Sequence, residues 1–303
     1  MRVTAIGDCG IDRYVDIRAD RPGGISLNFA ANAVRCFAPG DRVGVLTVLG
    51  DDREAAIVEA QFARFGIDAS IARRRGATPV QYIDRDADGE RILVRYEAGV
   101  LAGHRLTADE RELIAASDVV IATVFTKILD FFETVADAPA GGLRALDYCH
   151  FGTRDDATAY VRRYAGRFDI GFVGLGPGRD ALVDELEAIA RRAGRLIVAT
   201  LGPAGSVALG GRRRIACPAV PVAKVVDTTG AGDTFAAGFL GSYARTRDVA
   251  ASLAAGAEAA ARTLGHLGAF EAELVPWPAD APAEWSALRA ATKEIPSPLE
   301  GEG

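Results

Sequence analysis

The sequence predicts an α/β fold built on a mostly parallel sheet with helices on both faces. Two observations carry this. Six short, continuously apolar runs recur along the 303 residues, and stretches with apolar residues at helical spacing separate them. Strands that read as unbroken hydrophobic runs are those buried on both faces, and the intervening helices supply the cover. A third observation, two alternating segments outside this rhythm, predicts a small additional sheet.

The first run, MRVTAIGD, ends at Gly7-Asp8. RVGVLTVLGDD (42–52) repeats its pattern of a β-branched run followed by glycine and acids. DVVIATVF (118–125), LRALDY (143–148), FDIGFVGL (168–175) and RLIVATLG (195–202) complete the set. Between them NFAANAVRCFA, REAAIVEAQFARFG and DALVDELEAIARRAG read as amphipathic helices, so the crossovers are expected to be right-handed. The two alternating segments are IDRYVDIRAD (Ile11–Asp20), read as one strand, and TPVQYIDRDADGERILVRYEAG (Thr78–Gly99), read as a hairpin with Asp88-Gly89 near its turn. They predict a lid over one end of the main sheet. One domain over 1–290 with these strands inserted is expected, and 291–303 reads as a disordered tail.

Composition narrows the function classes. Hydrophobic residues make up 49% and charged residues 25%, an ordinary globular balance. The net charge of −6 comes without a basic block, which argues against nucleic-acid binding through a broad basic face. The lysines are Lys127, Lys224 and Lys293, and none follows a glycine, so there is no Walker-type P-loop. Cys9, Cys36, Cys149 and Cys217 show no C-x-x-C spacing and no histidine cluster, which fits free thiols in a reducing compartment rather than zinc ligation. The N-terminus reaches an acid too early for a signal peptide, and the longest apolar run, Val119–Phe125, is too short to span a bilayer. A soluble cytoplasmic protein with no membrane partner is the expectation.

The stretch VVDTTGAGDTFAAGFL (Val225–Leu240) carries the chemistry. Gly230-Ala231-Gly232 leads into a helix with Phe235, Phe239 and Leu240 on its buried side. A helix start offers free N–H groups and the positive dipole end, and glycines let an anion approach them, so backbone alone makes a phosphate cradle. Asp233 then has two readings. It is a helix cap, worth about 1 kcal/mol, or a carboxylate placed to take a proton from an attacking hydroxyl beside an anion hole.

The run D-T-T-G-A-G-D-T-F-x-A-G-F resembles the C-terminal signature of the PfkB/ribokinase family of carbohydrate kinases, and the order of elements agrees to about Phe270. The resemblance implies a ribokinase-like three-layer sandwich with a small β lid. It implies Asp233 as catalytic base, with Gly230, Ala231, Gly232 and Asp233 as the anion hole. Asp227 matches a position near a monovalent-cation (K⁺) site, and its other reading is a loop cap. RPGGISLNFAANA (Arg21–Ala33) is similar to the family's sugar motif, giving Gly23, Gly24 and Asn28 as substrate residues; Asn28 also reads as a helix N-cap. Ser26 and Phe37 depart from that motif. Asp12 matches the family's sugar-binding acid. Asp8 reads as a surface acid, and Gly50-Asp51-Asp52 as structural.

ATLGPAGSVAL (Ala199–Leu209) resembles a T-x-G-x-x-G at the nucleotide site, giving Thr200, Gly202 and Gly205; its plainer reading is a glycine turn between two strands. GLGPGRD (Gly174–Asp180) lacks the Asn and Glu that organise Mg²⁺ in many members. The resemblance therefore implies ATP with Mg²⁺ donating a phosphoryl group to a primary hydroxyl of a sugar or sugar derivative. Several stretches, IGDCGIDRY and VRYEAGV among them, are similar to the fructoselysine 6-kinase branch, which acts on sugars joined to an amino acid. Glu97 reads as an acid for that amine or as an exposed strand end. A lid face of Tyr82, Ile83, Leu93 and Tyr96 suits a homodimer. A nucleoside kinase of the same fold, and a non-catalytic sugar or nucleotide sensor, are the alternatives.

Overall fold

A computed structural model describes residues 1–85, 91–150, 158–279, 281–285 and 288. In chain order the strands are β1 (Arg2–Ile6), β2 (Gly10–Tyr14), β3 (Ala19–Gly23), β4 (Arg42–Leu49), β5 (Asp68–Arg73), β6 (Val80–Arg85) and β7 (Arg91–Glu97). There follow β8 (Val119–Thr123), β9 (Leu143–His150), β10 (Ile170–Gly174), β11 (Leu196–Thr200), β12 (Ser206–Leu209), β13 (Ile215–Cys217) and β14 (Val275–Pro276). The helices are α1 (Ile25–Cys36), α2 (Arg53–Phe65), α3 (Ala108–Ala115), α4 (Leu129–Ala136), α5 (Ala159–Tyr164), α6 (Asp180–Ala193), α7 (Ala231–Thr246) and α8 (Val249–Thr263).

Among the described residues nine strands form the main sheet, in the order β13-β12-β11-β10-β9-β8-β1-β4-β5. From β11 to β5 all pairs are parallel, and β12 and β13 extend one edge antiparallel. All six apolar runs lie in it. Side chains alternate between two cores. Val3, Ala5, Val119, Ile121 and Phe172 pack in one core with Phe29 of α1, Phe239 of α7 and Leu253 of α8. Ile6, Val120, Ala122, Leu146 and Val173 pack in the other with Ile114, Phe132, Val161 and Leu186 of α3 to α6. The result is the expected three-layer α/β/α sandwich. The chain runs outward from β1 to β4 and β5, then returns to β8 on the other side of β1. That reversal makes a crevice outside the carboxyl ends of β1 and β8, where open α/β sheets bind ligands.

The second sheet has the order β14-β3-β2-β6-β7. Here the structure corrects the reading of Ile11–Asp20 as one strand. β2 ends at Tyr14, the chain turns through 15–18, and β3 returns antiparallel with Ile11 opposite Pro22. The turn uses Arg18 at φ 53° rather than a glycine, so no residue type marked it. β6 and β7 pair antiparallel as expected. The expected Asp88-Gly89 turn and the 291–303 tail lie outside the described residues.

The proposed exposed lid face is also corrected. Tyr82 and Ile83 are buried, and Leu93 is 54% exposed. Tyr82 is covered by Trp285, whose ring in turn meets Trp277. Arg13 fills the space beneath, its guanidinium 3.4 Å from the Trp285 ring centre. It donates through Nε and Nη2 to Asp20 at 2.8 and 3.0 Å, and through Nη2 to Glu54 of α2 at 2.7 Å. The back of the lid is thus fastened to α2 and to the C-terminal segment.

Candidate active site

The loop before α7 is set by Asp227. Its Oδ1 accepts from the backbone N–H and the hydroxyl of Thr229 at 2.9 and 2.8 Å, and its Oδ2 from Tyr14 Oη and the Gly268 N–H at 3.0 and 2.8 Å. Burial alone would raise this carboxyl's pKa. The bonds from Gly268, Thr229 and Tyr14 outweigh burial and hold it below the usual range. Asp227 therefore caps the loop and ties it to the lid strand β2.

Gly230 is the N-cap of α7, at φ 73°. A Cβ there would lie 2.1 Å from Ala269 Cβ, so both backbone conformation and packing demand glycine. Gly232, in the first turn, meets nothing within 4 Å of an added Cβ. No side chain caps this helix start. The Ala231 N–H donates to the Thr228 carbonyl at 3.2 Å, and the rest of this uncapped helix start has a geometry that suits an anion.

Asp233 follows, half-buried in the same turn. The N-cap position belongs to Gly230, and Asp233 Oδ2 accepts from Asn28 Nδ2 at 2.8 Å. Asn28 is not an N-cap either. It sits inside α1, whose N-cap is Gly24. Gly24, at φ 92°, packs on the carbonyl of Asp8, 2.7 Å from where its Cβ would be. On Gly23 a Cβ would lie 2.3 Å from Asp12 Oδ2, so the Asp12 carboxylate rests directly on that backbone. The structure thus gathers Asp12, Gly23, Gly24, Asn28 and the Gly230–Asp233 turn at one cleft.

Two further acids stand there. Asp8, expected at the surface, is only 4% exposed. Burial, then the neighbouring charge of Asp233, pushes its carboxyl up to about 7. Asp147, near the end of β9, was not singled out in the sequence. It too is pushed up to about 7, by burial and then by Asp233, with Asp8 adding to the effect. Its Oδ1 accepts from the Cys149 N–H at 2.7 Å, across a turn in which Cys149 has φ 61°. A small cavity lined by Ser26, Thr123, Asp147 and Asp233 lies between these elements. The signal for Asp147 was the one that ends β1, an acid closing an apolar run at a strand's carboxyl end. Tyr96 of β7 reaches toward this group, with its ring edge-on to Phe125 at 5.0 Å. Its hydroxyl is held well above its ordinary pKa by burial and then by the charge of Asp8.

Thr200, Gly202 and Gly205 form a second cluster. The Leu175 N–H donates to the Thr200 carbonyl at 2.9 Å, and a Cβ on Gly202 would reach Pro177 Cδ at 3.9 Å. Gly205, at φ 92°, turns the chain into β12. This turn lies side by side with Gly174–Asp180 at the carboxyl edge of β10 and β11, where Asp180 is exposed. Gly50-Asp51-Asp52 is structural as expected. Asp52 caps α2 through the Ala55 N–H and accepts two bonds from Thr78, while Asp51 accepts from the Gly76 N–H. Among the described residues no three His, Cys, Asp or Glu side chains converge as metal ligands.

The pfkB family carbohydrate kinase model matches residues 178–274, which include both the Thr200–Gly205 turn and the Gly230–Asp233 cradle. Beyond that segment, the chain is 29% identical over 269 residues to a fructoselysine 6-kinase of Shigella flexneri, covering 88% of this chain and 99% of the relative. Residues 178–274 carry the pfkB carbohydrate kinase signature, and the likeness to kinases of this kind runs over most of the chain. The chain is also 28% identical over 278 residues to a fructosamine kinase of Bacillus subtilis, covering 89% and 93% of the two chains. Its fold matches the crystal structure of ribokinase from Thermotoga maritima with a TM-score of 0.71 at 18% identity, over 89% of this chain and 94% of that one. The kinase is therefore ribokinase-like in architecture.

Proposed function

We propose that this kinase transfers the γ-phosphoryl group of ATP to a primary hydroxyl of a fructosyl-amino acid. One observation supports the chemistry above others: Asp233 is held by Asn28 at 2.8 Å in the helix turn where Gly232 opens on free space. The acceptor hydroxyl would sit between Asp233 and that turn, with Asp12, Gly23, Gly24 and Asn28 holding the sugar's other hydroxyls. The amides of the Gly230–Asp233 turn spread the charge of the transferring group, and Asp233 takes the hydroxyl proton. A sugar hydroxyl is a weak acid, so the proton leaves late and positioning carries much of the rate. Thr200, Gly202 and Gly205 would border the nucleotide.

Mg²⁺, when bound with the nucleotide, neutralises charge on the phosphate oxygens. With no converging set of ligands among the described residues, it would be held by phosphates and water, as is usual for this ion. A K⁺ ion near Asp227 would act on the loop indirectly, because four hydrogen bonds already occupy that carboxylate. The fructosyl acceptor is taken from the names of the two relatives, both near 29% identity. The homodimer expected through the lid now rests on Leu93, and sedimentation would read it. The proposed location is the cytoplasm, where ATP and free thiols coexist; no helix among the described residues is long and apolar enough to cross a membrane.

An ADP-release screen over ketoses, pentoses, fructosyl-amino acids and nucleosides tests this reading. Fructosyl-amino acids are expected to be the best acceptors. A nucleoside as best acceptor would replace the substrate class, and ADP from no acceptor would make the protein a sensor.

A further inference from the structure

We propose that Asp8 and Asp147 form a receptor for the protonated amine of the acceptor, at the ends of β1 and β9 beside Asp233. This rests on the reading of the protein as a kinase of aminated sugars and assigns the residues that would make it selective for them.

Placement comes first. β1, β8 and β9 are neighbours in the sheet, so their carboxyl ends stand about 5 Å apart in sequence across it. Asp8 follows the first and Asp147 lies near the end of the third, opposite Thr123 of β8. A small cavity beside Thr123, Asp147 and Asp233 is lined also by Ala5, Ile25, Ser26, Phe29 and Ile121, and Asp8 stands outside its lining. A cation above Thr123 would lie within reach of both acids.

Charge comes second. Asp8 and Asp147 are 4% and 7% exposed, yet neither is among the carboxylates that the described arginines engage. A buried carboxylate without a cation is costly unless it takes up a proton or a ligand supplies the charge.

The third observation is independent of the acids. Asn28 is 5% exposed and its Oδ1 has no hydrogen-bond partner, while its Nδ2 is fixed on Asp233. Asp8 Oδ1 and Tyr96 Oη are likewise buried and unpartnered. Two orphan acceptors and a hydroxyl around one cleft call for a ligand that donates. The amine of a fructosyl-amino acid is a secondary ammonium, which carries two N–H donors and a positive charge. The acids do not converge as a three-ligand metal group, which favours a directional donor over a divalent ion. Glu97, the acid first considered for this role, is spent elsewhere. It pairs with Arg95 and accepts from Tyr82 Oη at 3.2 Å, and strand alternation points it away from the Tyr96 side.

The test uses two substrates, fructosyl-lysine and its isosteric ether with oxygen in place of the bridging nitrogen. Charge-assisted hydrogen bonds of this kind correspond to roughly 10–100-fold in kcat/KM, so the full-length wild-type protein should prefer the amine by that factor. In Asp8→Asn and Asp147→Asn the preference should fall toward one, through KM for the amine. Equal use of amine and ether by the wild type overturns the receptor and leaves the kinase standing, and it needs no variant to fold. An undiminished preference in both variants, with melting curves showing intact folds, also overturns it. ADP release with neither substrate overturns the receptor together with the fructosyl-amino acid reading.

Discussion

Two buried clusters of charge lie on opposite sides of the lid, and they are built differently. Behind it, Arg13 and Asp20 are 2% and 0% exposed, and each charge there meets an opposite one. In front of it, burial and the charge of Asp233 raise the proton affinity of Asp8 and Asp147, and Asp8 adds to the effect on Asp147. The first arrangement fixes structure. The second is what an active site looks like when part of its electrostatic balance is to arrive with the substrate. Burial is common to both; what separates them is that Arg13 and Asp20 pair with each other while Asp8 and Asp147 pair with no described arginine.

Substitutions can break each side of this contrast. Asp233→Asn should reduce turnover by about 10²–10⁴-fold, the usual loss when a general base is removed, while isothermal titration shows nucleotide binding preserved. Wild-type turnover in that variant would strip Asp233 of its role. Arg13→Ala should leave buried Asp20 with only the more distant Arg53, 3.7 Å away, and lower stability by about 3–5 kcal/mol, read as a lower urea midpoint. A shift below 1 kcal/mol would show that the back cluster is not the fastening described.

The front cluster predicts a pH dependence of the opposite sign to that of an ordinary paired carboxylate. Asp8 and Asp147 are pushed up to about 7 in the folded protein from the 3.8 of an ordinary exposed carboxyl, with burial as the main cause. Between pH 4 and 7 the unfolded chain gives up protons that the folded chain retains. Stability contributed by these groups therefore falls as pH rises through that window, by up to a few kcal/mol each. Asp8→Asn and Asp147→Asn should flatten the fall, and their denaturation midpoints should exceed the wild type's at pH 8. Parallel pH profiles would mean that both acids ionise normally. The smallest effect is expected from Glu97→Gln. Its pair with Arg95 is on the surface, with side chains 36% and 45% exposed, so a change within about 0.5 kcal/mol and unaltered amine-over-ether preference should follow.

The fold was legible where apolar runs were long. β5 (DASIAR) was missed because it is an edge strand with few large apolar residues, and its side chains are half-buried or exposed. The lid hairpin at 15–18 was missed because Arg18 adopts a left-handed backbone that sequence assigns to glycine or asparagine. Asp233, Asn28 and Asp12 were found through motif resemblance, and the geometry supplied what spacing could not: contacts across 205 residues between Asn28 and Asp233. Asp147 stayed hidden because only sheet order makes residues 8 and 147 neighbours. The roles of Glu97 and of the C-terminal tryptophans were also beyond reach, since alternation tells which face a side chain takes but not what covers that face.

The stacking of Trp285 on Arg13 joins two side chains that are far apart in the order of synthesis. About 270 residues separate them, which at typical elongation speeds is roughly 15–55 s of synthesis. Throughout that interval the nascent lid waits with its arginine uncovered, so the back of the lid closes only after residue 285 has been made, and a chaperone that shields the early hairpin would have its longest task here.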